Sequence, residues 1–177
     1  MIKPFFRWSL EIEDVNSFIN HWSLKYTYKD DWKYNDNIGK PLTEERIILL
    51  YEWKNGGVIS KPKQAGVLKN YAARPPEDLE KRYLNAEEEG GAIWNIFYLH
   101  INDQDKWPIY DQHAYRTMKY LQEGIITEIS INKEEVYRSY LEEYIPFFNS
   151  LGEGNKRERD KALFACGRFL KAVNRFS

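Results

Sequence analysis

Apolar side chains recur at helical spacing along most of the chain. Between residues 12 and 26 they stand at positions 12, 15, 18, 19 and 22, a period of three to four that predicts an amphipathic helix. Thr43 is a good N-cap for a second helix from Glu44 to Lys54, and the Asn-Gly-Gly sequence after Lys54 is typical of a helix end. The pattern therefore predicts a mainly helical protein.

The rest of the chain follows the same spacing, with two exceptions. Residues 29–40 are polar and rich in Asn and Asp, which predicts a loop. Residues 125–131 alternate apolar and polar side chains, which fits either an edge strand or an extended connector. Pro146 is expected to kink or divide the helix that contains it. Further helices are predicted over residues 63–73, 77–85, 90–101, 114–121, 133–151 and 156–176.

We expect these helices to form an all-α fold with two lobes. The helices at both ends of the chain would share one lobe, the middle segment, roughly residues 55–125, would form the other, and a cleft would lie between them. A chain of 177 residues has the length of a single domain and is long enough to bury a substantial core.

The net charge of −1 argues against an indiscriminate nucleic-acid binder. The charges are nevertheless unevenly distributed. Residues 54–82 carry 7 basic and 3 acidic side chains and residues 155–177 carry 7 and 2, whereas residues 83–154 carry 5 and 13. Two basic segments are able to form one basic face that steers DNA, and the plainer alternative is that they are solvated helix surfaces.

Other composition features narrow the class of protein. One Cys rules out an internal disulfide and suits a reducing compartment. No apolar run approaches the roughly 18 residues of a membrane span, and the first residues lack signal-peptide features, so a cytoplasmic location without a membrane partner is expected. His, Cys and carboxylates show no metal-ligand spacing, so neither a metal nor a cofactor is expected. His21 and His100 lie beside apolar helix residues and are expected to be packed.

The stretch from Trp107 to Arg116 (Trp-Pro-Ile-Tyr-Asp-Gln-His-Ala-Tyr-Arg) contains the most informative polar residues. Asp111 is a good N-cap for the helix that follows, and a capping carboxylate is favoured in its anionic form. His113 and Arg116 fall in the first turns, where they are able to face an anion. The plainer alternative is that Asp111 is only a cap and that Arg116 is solvated.

The sequence Asp111-Gln-His-Ala-Tyr-Arg116 resembles the Asp-x-His-x-x-Arg signature of the helix-hairpin-helix (HhH-GPD) DNA glycosylase superfamily. The resemblance covers roughly residues 75–177, including the helix over 90–101 and the last helix, and is to a divergent, 8-oxoguanine-glycosylase-like member. It implies a two-lobed helical fold with a cleft, DNA as partner, and hydrolysis of the N-glycosidic bond of an extruded, modified base with Asp111 as the catalytic residue.

The chain departs from the family pattern at the hairpin. Residues 85–92 (Asn-Ala-Glu-Glu-Glu-Gly-Gly-Ala) occupy the place of the family's Leu-Pro-Gly-x-Gly loop, with Gly90 and Gly91 as the remnant. No Lys stands near Gly91, where bifunctional members have their nucleophile, so a monofunctional enzyme that uses water is implied. A single Cys excludes the iron–sulfur subclass.

The resemblance implies further roles around Asp111. His113, Arg116, Gly90 and Gly91 would contact DNA, and Trp94, Trp107 or Tyr110 would stack on a base. Lys54 is a candidate for holding a phosphate, and its neighbours Tyr51 and Trp53 are expected in the core rather than against a base.

Two alternatives to the enzyme stay open. The first is a catalytically inactive glycosylase-fold module that binds DNA or protein, which the run Glu87 to Glu89 favours because acidic side chains repel phosphate. The second is a helical interaction protein without a nucleic-acid role, in which Asp111 is only a cap.

Overall fold

The computed structural model describes residues 14–72, 79–152 and 154–174. Over these ranges all regular secondary structure is helical and no strand occurs, which confirms the predicted all-α class. Helices α1 to α5 span Val15–Ser23, Trp32–Asn35, Glu44–Asn55, Lys61–Val67 and Leu79–Tyr83. Helices α6 to α10 span Ala92–Asn102, Gln112–Glu123, Lys133–Arg138, Ile145–Ser150 and Lys156–Asn174.

Several predicted boundaries differ from the observed ones. The first helix begins only at Val15, because Asp14 caps it by accepting a hydrogen bond from Ser17 N at 2.9 Å, and the predicted Ile12 lies outside the described residues. The predicted loop over 29–40 contains the short helix α2. Residues 125–131 form no strand and connect α7 to α8, so the predicted edge strand does not occur.

Pro146 interrupts the regular α-helical pattern of the segment that was predicted to kink or divide there. A π-helical segment, Ser139–Tyr144, joins α8 to α9 immediately before the proline. A proline ring clashes with the carbonyl four residues earlier in a regular α-helix. Proline also lacks the N–H that would donate to this carbonyl. The wider π turn accommodates the missing hydrogen bond, and the chain stays helical from α8 to α9.

Capping residues fix the two helix ends that matter for the site. Thr43 begins α3 by accepting from Arg46 N at 3.3 Å, and Gly56 ends it with φ of 76°, in the left-handed region that favours glycine. Asp111 begins α7, and Gly124 ends it with φ of 72°. Both helix starts were predicted from the sequence, and both are confirmed.

Helix α10 packs against α7 and α1. Its contact with α7 is unusually close at Gly167, where a Cβ atom would lie 2.1 Å from the carbonyl oxygen of His113. Two hydrogen bonds cross the same interface: Arg116 Nη1 donates to Gly167 O at 3.0 Å, and Thr117 Oγ1 donates to Leu163 O at 2.8 Å. The absence of a side chain at position 167 thus lets α10 lie directly against the first turn of α7.

Tyrosine hydroxyls hold the segment that leads into α7. Tyr140 donates to the carbonyl of Pro108 at 2.9 Å, and Tyr144 donates to the carbonyl of Ile109 at 2.8 Å. Both tyrosines are fully buried, so these hydrogen bonds satisfy backbone groups that water does not reach. Side chains of the π-helical segment therefore hold in place the backbone that leads to Asp111.

The aromatic pair near the end of α3 lies in the core, as predicted. Tyr51 is completely buried and Trp53 is 6% exposed. His100 is also buried, but His21 is exposed at the surface of α1, so the prediction that it is packed was wrong. None of the described helices is long and apolar enough to cross a membrane.

Candidate functional site

A pocket with one lysine, one arginine and two aspartates lies where α3, α7 and α10 meet the loop between α1 and α2. Its volume is about 30 Å³, room for one or two water molecules. A nucleobase therefore enters only if the surrounding side chains move. The walls are formed by Tyr26, Tyr28, Trp53, Lys54, Ile109, Asp111, Ala114, Arg157, Asp160 and Phe164.

Asp111 lies in this pocket as the N-cap of α7. Its Oδ1 accepts hydrogen bonds from the backbone N–H groups of His113 at 2.8 Å and Ala114 at 2.9 Å. Donation by two amides at the start of the helix fixes the orientation of this carboxyl group. The side chain is 24% exposed, so part of it is accessible to solvent.

Lys54 stands next to Asp111, at the last turn of α3. Its Nζ donates to the carbonyl of Tyr110 at 2.9 Å and lies 3.9 Å from Asp111 Oδ2. The side chain is only 5% exposed. Burial lowers the pKa of the Lys54 ammonium group, and the charges of Asp111 and Asp160 oppose that shift. A buried lysine thus lies within ion-pair distance of the residue predicted to be catalytic.

Asp160 contributes a second carboxyl group to the pocket from α10. It is 8% exposed, and its Oδ1 is buried without a hydrogen-bond partner among the described residues. Burial raises the pKa of Asp160 to about 7, against the opposing charges of Arg157 and Lys54. The two carboxyl groups of the pocket therefore have different surroundings, one held by amide donors and one not.

Arg157 closes the pocket on the side of α2. Its Nη2 donates to Asp31 Oδ1 at 2.8 Å and to the Tyr26 hydroxyl at 3.1 Å. The guanidinium carbon lies 4.4 Å from the ring centroid of Tyr34 and 5.3 Å from that of Trp53. Such contacts between a cation and ring faces are favourable when they are shielded from water.

An open groove of about 620 Å³ adjoins the pocket. Tyr28 and Phe164 belong to the walls of both, so their rings separate the groove from the pocket. The groove has basic side chains and no carboxylate among its lining residues. These residues are Thr27, Tyr28, Lys29, Gly56, His113, Phe164 and Arg168.

His113 faces this groove as a neutral donor. Arg116 Nη1 donates to His113 Nδ1 at 3.0 Å, so Nδ1 is the acceptor and Nε2 holds the proton. Burial lowers the pKa of His113 and so favours the neutral imidazole; the charge of Asp111 and a hydrogen bond with the Gly167 backbone oppose the shift.

The structure brings some of the predicted site residues together and separates others. Lys54 and Asp111 line the pocket, and His113 lines the adjoining groove. Arg116 is fully buried behind them, where its Nη2 donates to Glu128 Oε1 at 2.5 Å and its Nη1 to the carbonyl of Gly167. In this conformation Arg116 joins α7 to α10, and its role in contacting phosphate stays a prediction.

The predicted stacking residues lie in or near the core. Trp107 is 6% exposed, and Tyr110 is 1% exposed. Trp94 is partly buried, with Lys63 Nζ 4.5 Å from its ring centroid. None of the three lines the pocket at Asp111, and the Tyr110 backbone carbonyl serves instead as the acceptor for Lys54. The rings at the pocket are those of Tyr26, Tyr28, Trp53 and Phe164.

Gly90 and Gly91 lie at the start of α6 and line neither the pocket nor the groove. Gly90 has φ of 93°, and a Cβ atom there would meet the Asn95 side chain at 2.7 Å. The acidic run before them is ion-paired, Glu88 with Arg82 and Glu89 with Lys69 at 3.0 Å. Nearby basic side chains thus partly offset its negative charge.

The sequence interpretation missed the contribution of α10. Arg157, Asp160, Phe164 and Arg168 are spaced three or four residues apart, so they share one face of the helix and line the pocket or the groove. Two charged residues on the buried side of an amphipathic helix are unusual. This pattern was the feature of the sequence from which the contribution of α10 to the site could have been predicted.

Within the described ranges, no three His, Cys, Asp or Glu side chains are grouped so as to hold a metal ion. Comparison of the chain with protein-family models, with curated proteins and with solved structures finds no match. The chemistry of the pocket is therefore the basis for a functional hypothesis.

Proposed function

We propose that this protein hydrolyses the N-glycosidic bond of a modified or damaged base in DNA, with Asp111 as the catalytic residue and water as the acceptor. The observation that carries the proposal is the Asp111 carboxylate, fixed by two backbone amides in a pocket next to the buried Lys54. The resemblance of residues 111–116 to the glycosylase signature supports the same chemistry, and a two-lobed glycosylase fold is part of the proposal.

The charge of the reaction explains the need for such a carboxylate. Cleavage of an N-glycosidic bond passes through a sugar with oxocarbenium character, which is cationic. A fixed anion stabilises that charge without reorganising, and Asp111 is oriented before the substrate arrives. Its second oxygen, Oδ2, is free of the capping hydrogen bonds and is placed to take a proton from the attacking water.

The groove beside the pocket supports a nucleic-acid substrate. Lys29 and Arg168 provide positive charge, and the neutral His113 provides a donor, without a carboxylate among the lining residues. Phosphate groups bind such surfaces in a salt-dependent manner. A nucleotide bound there has its base next to Tyr28 and Phe164, whose rings must separate before the base reaches Asp111.

The direct test is the Asp111→Asn variant. Asparagine is as good an N-cap as aspartate, so we expect the fold to be retained. The variant removes the carboxylate paired with the buried Lys54, so stability should fall by about 1–3 kcal/mol. Loss of the carboxylate should slow base release by about 100-fold or more. Release is measured chromatographically from duplex and single-stranded DNA that contains uracil, alkylated or oxidised bases, with the exposed-site variant Asp36→Asn as the control.

The alternatives predict different results in the same experiment. Salt-dependent DNA binding without base release by the wild-type protein would indicate an inactive DNA-binding module. Absence of both binding and release would indicate a helical interaction protein. Equal release by the wild-type protein and the Asp111→Asn variant would remove Asp111 from the mechanism.

A lyase step is the second candidate, favoured by the position of Lys54. Its amine is buried next to Asp111, and burial lowers its pKa, which favours the neutral nucleophile that attacks C1′ of an abasic sugar with loss of water. In that case, borohydride traps a covalent complex with abasic DNA in the wild-type protein and none in the Lys54→Gln variant. If the wild-type protein forms no such complex, the lyase step is ruled out and only the hydrolytic mechanism remains.

A further inference from the structure

Asp160 is a buried polar group that the mechanism above does not use. Its Oδ1 has no hydrogen-bond partner among the described residues. The hydroxyl groups of three tyrosines interact with it electrostatically. Each of those hydroxyls is engaged elsewhere: Tyr34 with His100, Tyr140 with the carbonyl of Pro108, and Tyr144 with the carbonyl of Ile109. A buried carboxyl group without a partner is costly, and such groups are enriched at functional sites.

The carboxyl group of Asp160 faces the same pocket as that of Asp111. Two carboxyl groups at one cavity, one charged and one protonated, are the arrangement by which glycosidases divide acid and base roles. Asp111 is oriented by two donating amides, as suits the partner that acts as base. Asp160 has the surroundings of the protonated partner, since it is buried and lacks donors.

Charged and titratable groups on several elements determine how Asp160 titrates. Burial is the largest influence and raises its pKa to about 7, and the Asp111 charge acts in the same direction. Three cations oppose the shift, Arg157 and Arg159 from α10 and Lys54 from α3. From other elements, Tyr34, Tyr140 and Tyr144 interact with it electrostatically. A neighbouring cavity that Asp160 also lines contains His100, Asp105 and Lys156.

We infer that Asp160 is a second catalytic residue of this site, a general acid that protonates the departing base; the inference rests on the proposed glycosidase function. The bond from C1′ to the base nitrogen breaks, and its electron pair goes to the base. The Asp160 O–H proton moves to a nitrogen or oxygen of that base. Water adds to C1′, and Asp111 takes the proton that the water releases. Proton exchange with solvent then resets both carboxyl groups.

The consequence of this role depends on the leaving group. A neutral base such as hypoxanthine departs as an anion unless it is protonated, so it requires an acid. A base that is already cationic, such as 7-methylguanine, departs neutral without one. Asp160 should therefore matter for the first class of substrate and much less for the second.

The experiment compares wild-type protein with Asp160→Asn, and with Asp36→Asn as an exposed control, on DNA duplexes that contain hypoxanthine, uracil, 8-oxoguanine or 7-methylguanine. We expect Asp160→Asn to slow release of neutral bases by about 100-fold or more and release of 7-methylguanine by less than about tenfold. Wild-type release of a neutral base should fall as pH rises through about 7, and the variant should lose that pH dependence. If wild-type protein releases only neutral bases, the comparison with 7-methylguanine is not possible, and the pH profile of the two proteins tests the acid role of Asp160.

The outcomes separate this inference from the proposed function. Equal slowing of neutral and cationic bases, or an unchanged pH profile in Asp160→Asn, would overturn the acid role while leaving Asp111 as the catalytic residue. Wild-type release confined to 7-methylguanine would also overturn it, because that reaction needs no acid. Absence of any base release by wild-type protein would overturn both proposals. Circular dichroism of each variant shows whether a lost rate comes from lost fold.

Discussion

Replacing Gly167 with alanine is expected to destabilise the protein by about 1–3 kcal/mol and to impair whatever chemistry Asp111 performs. A Cβ atom at this position would lie 2.1 Å from the carbonyl oxygen and 2.8 Å from the Cα atom of His113. Both are backbone atoms, so no side-chain rotation relieves the clash. The first turn of α7 must move away from α10, and Asp111 moves with it, because its carboxylate is hydrogen-bonded to the amides of that turn.

Gly66→Ala provides the matched control for this prediction. Gly66 also lies within a helix, α4, but a Cβ atom there meets nothing within 4 Å. Alanine is favoured over glycine inside helices, so this variant should gain about 0.5–1 kcal/mol. Urea denaturation of both variants checks the pair. A Gly167→Ala variant as stable as Gly66→Ala would show that α10 does not approach α7 as closely as described.

Replacing Arg157 with methionine is expected to have the largest effect on stability, about 3–5 kcal/mol. Arg157 is the cation that pairs with the partly buried Asp31, and three aromatic rings surround its guanidinium group. Removing it also removes the cation that most strongly opposes the rise in the pKa of Asp160. Methionine fills part of the volume but leaves Asp31 with donors from Tyr26, Asn35 and Trp53 only.

Two further variants identify the source of that loss. Arg168 lies on the same face of α10 and is exposed. Its Nη1 donates to Thr27 O at 2.7 Å and to Thr27 Oγ1 at 3.3 Å, and its guanidinium carbon lies 5.8 Å from the Phe164 ring centroid. Arg168→Met should therefore cost less than about 1 kcal/mol. Adding Asp31→Asn to Arg157→Met should recover part of the loss, because it removes the unpaired charge. No recovery in the double variant, measured by urea denaturation, would assign the loss to ring packing instead.

Local features of the site were predictable from the sequence, and its long-range contacts were not. The caps at Thr43 and Asp111 depend on hydrogen bonds that span three residues, so a residue type next to an apolar run is sufficient to predict them. The contact between Lys54 and Tyr110 joins residues 56 apart in the chain. Helical periodicity determines which face of each helix is apolar, but not which helix that face meets.

The burial of Arg116 illustrates the same limit. An arginine in the first turn of a helix is usually solvated, and nothing in its neighbourhood of the sequence indicates otherwise. Its burial depends on the close approach that Gly167 allows, since Gly167 O accepts from the guanidinium group across 51 residues of chain. For the part of the site that α10 contributes, the spacing of charged residues along that helix was the only indication in the sequence.

The most direct test of the central claim is a single-turnover measurement of free base released from modified DNA by wild-type protein and by Asp111→Asn at equal, saturating protein concentration. The proposed mechanism predicts release by wild-type protein and a rate at least about 100-fold lower in the variant, with an unchanged circular dichroism spectrum and unchanged DNA affinity. Release at the same rate by both proteins, or by neither, would contradict it.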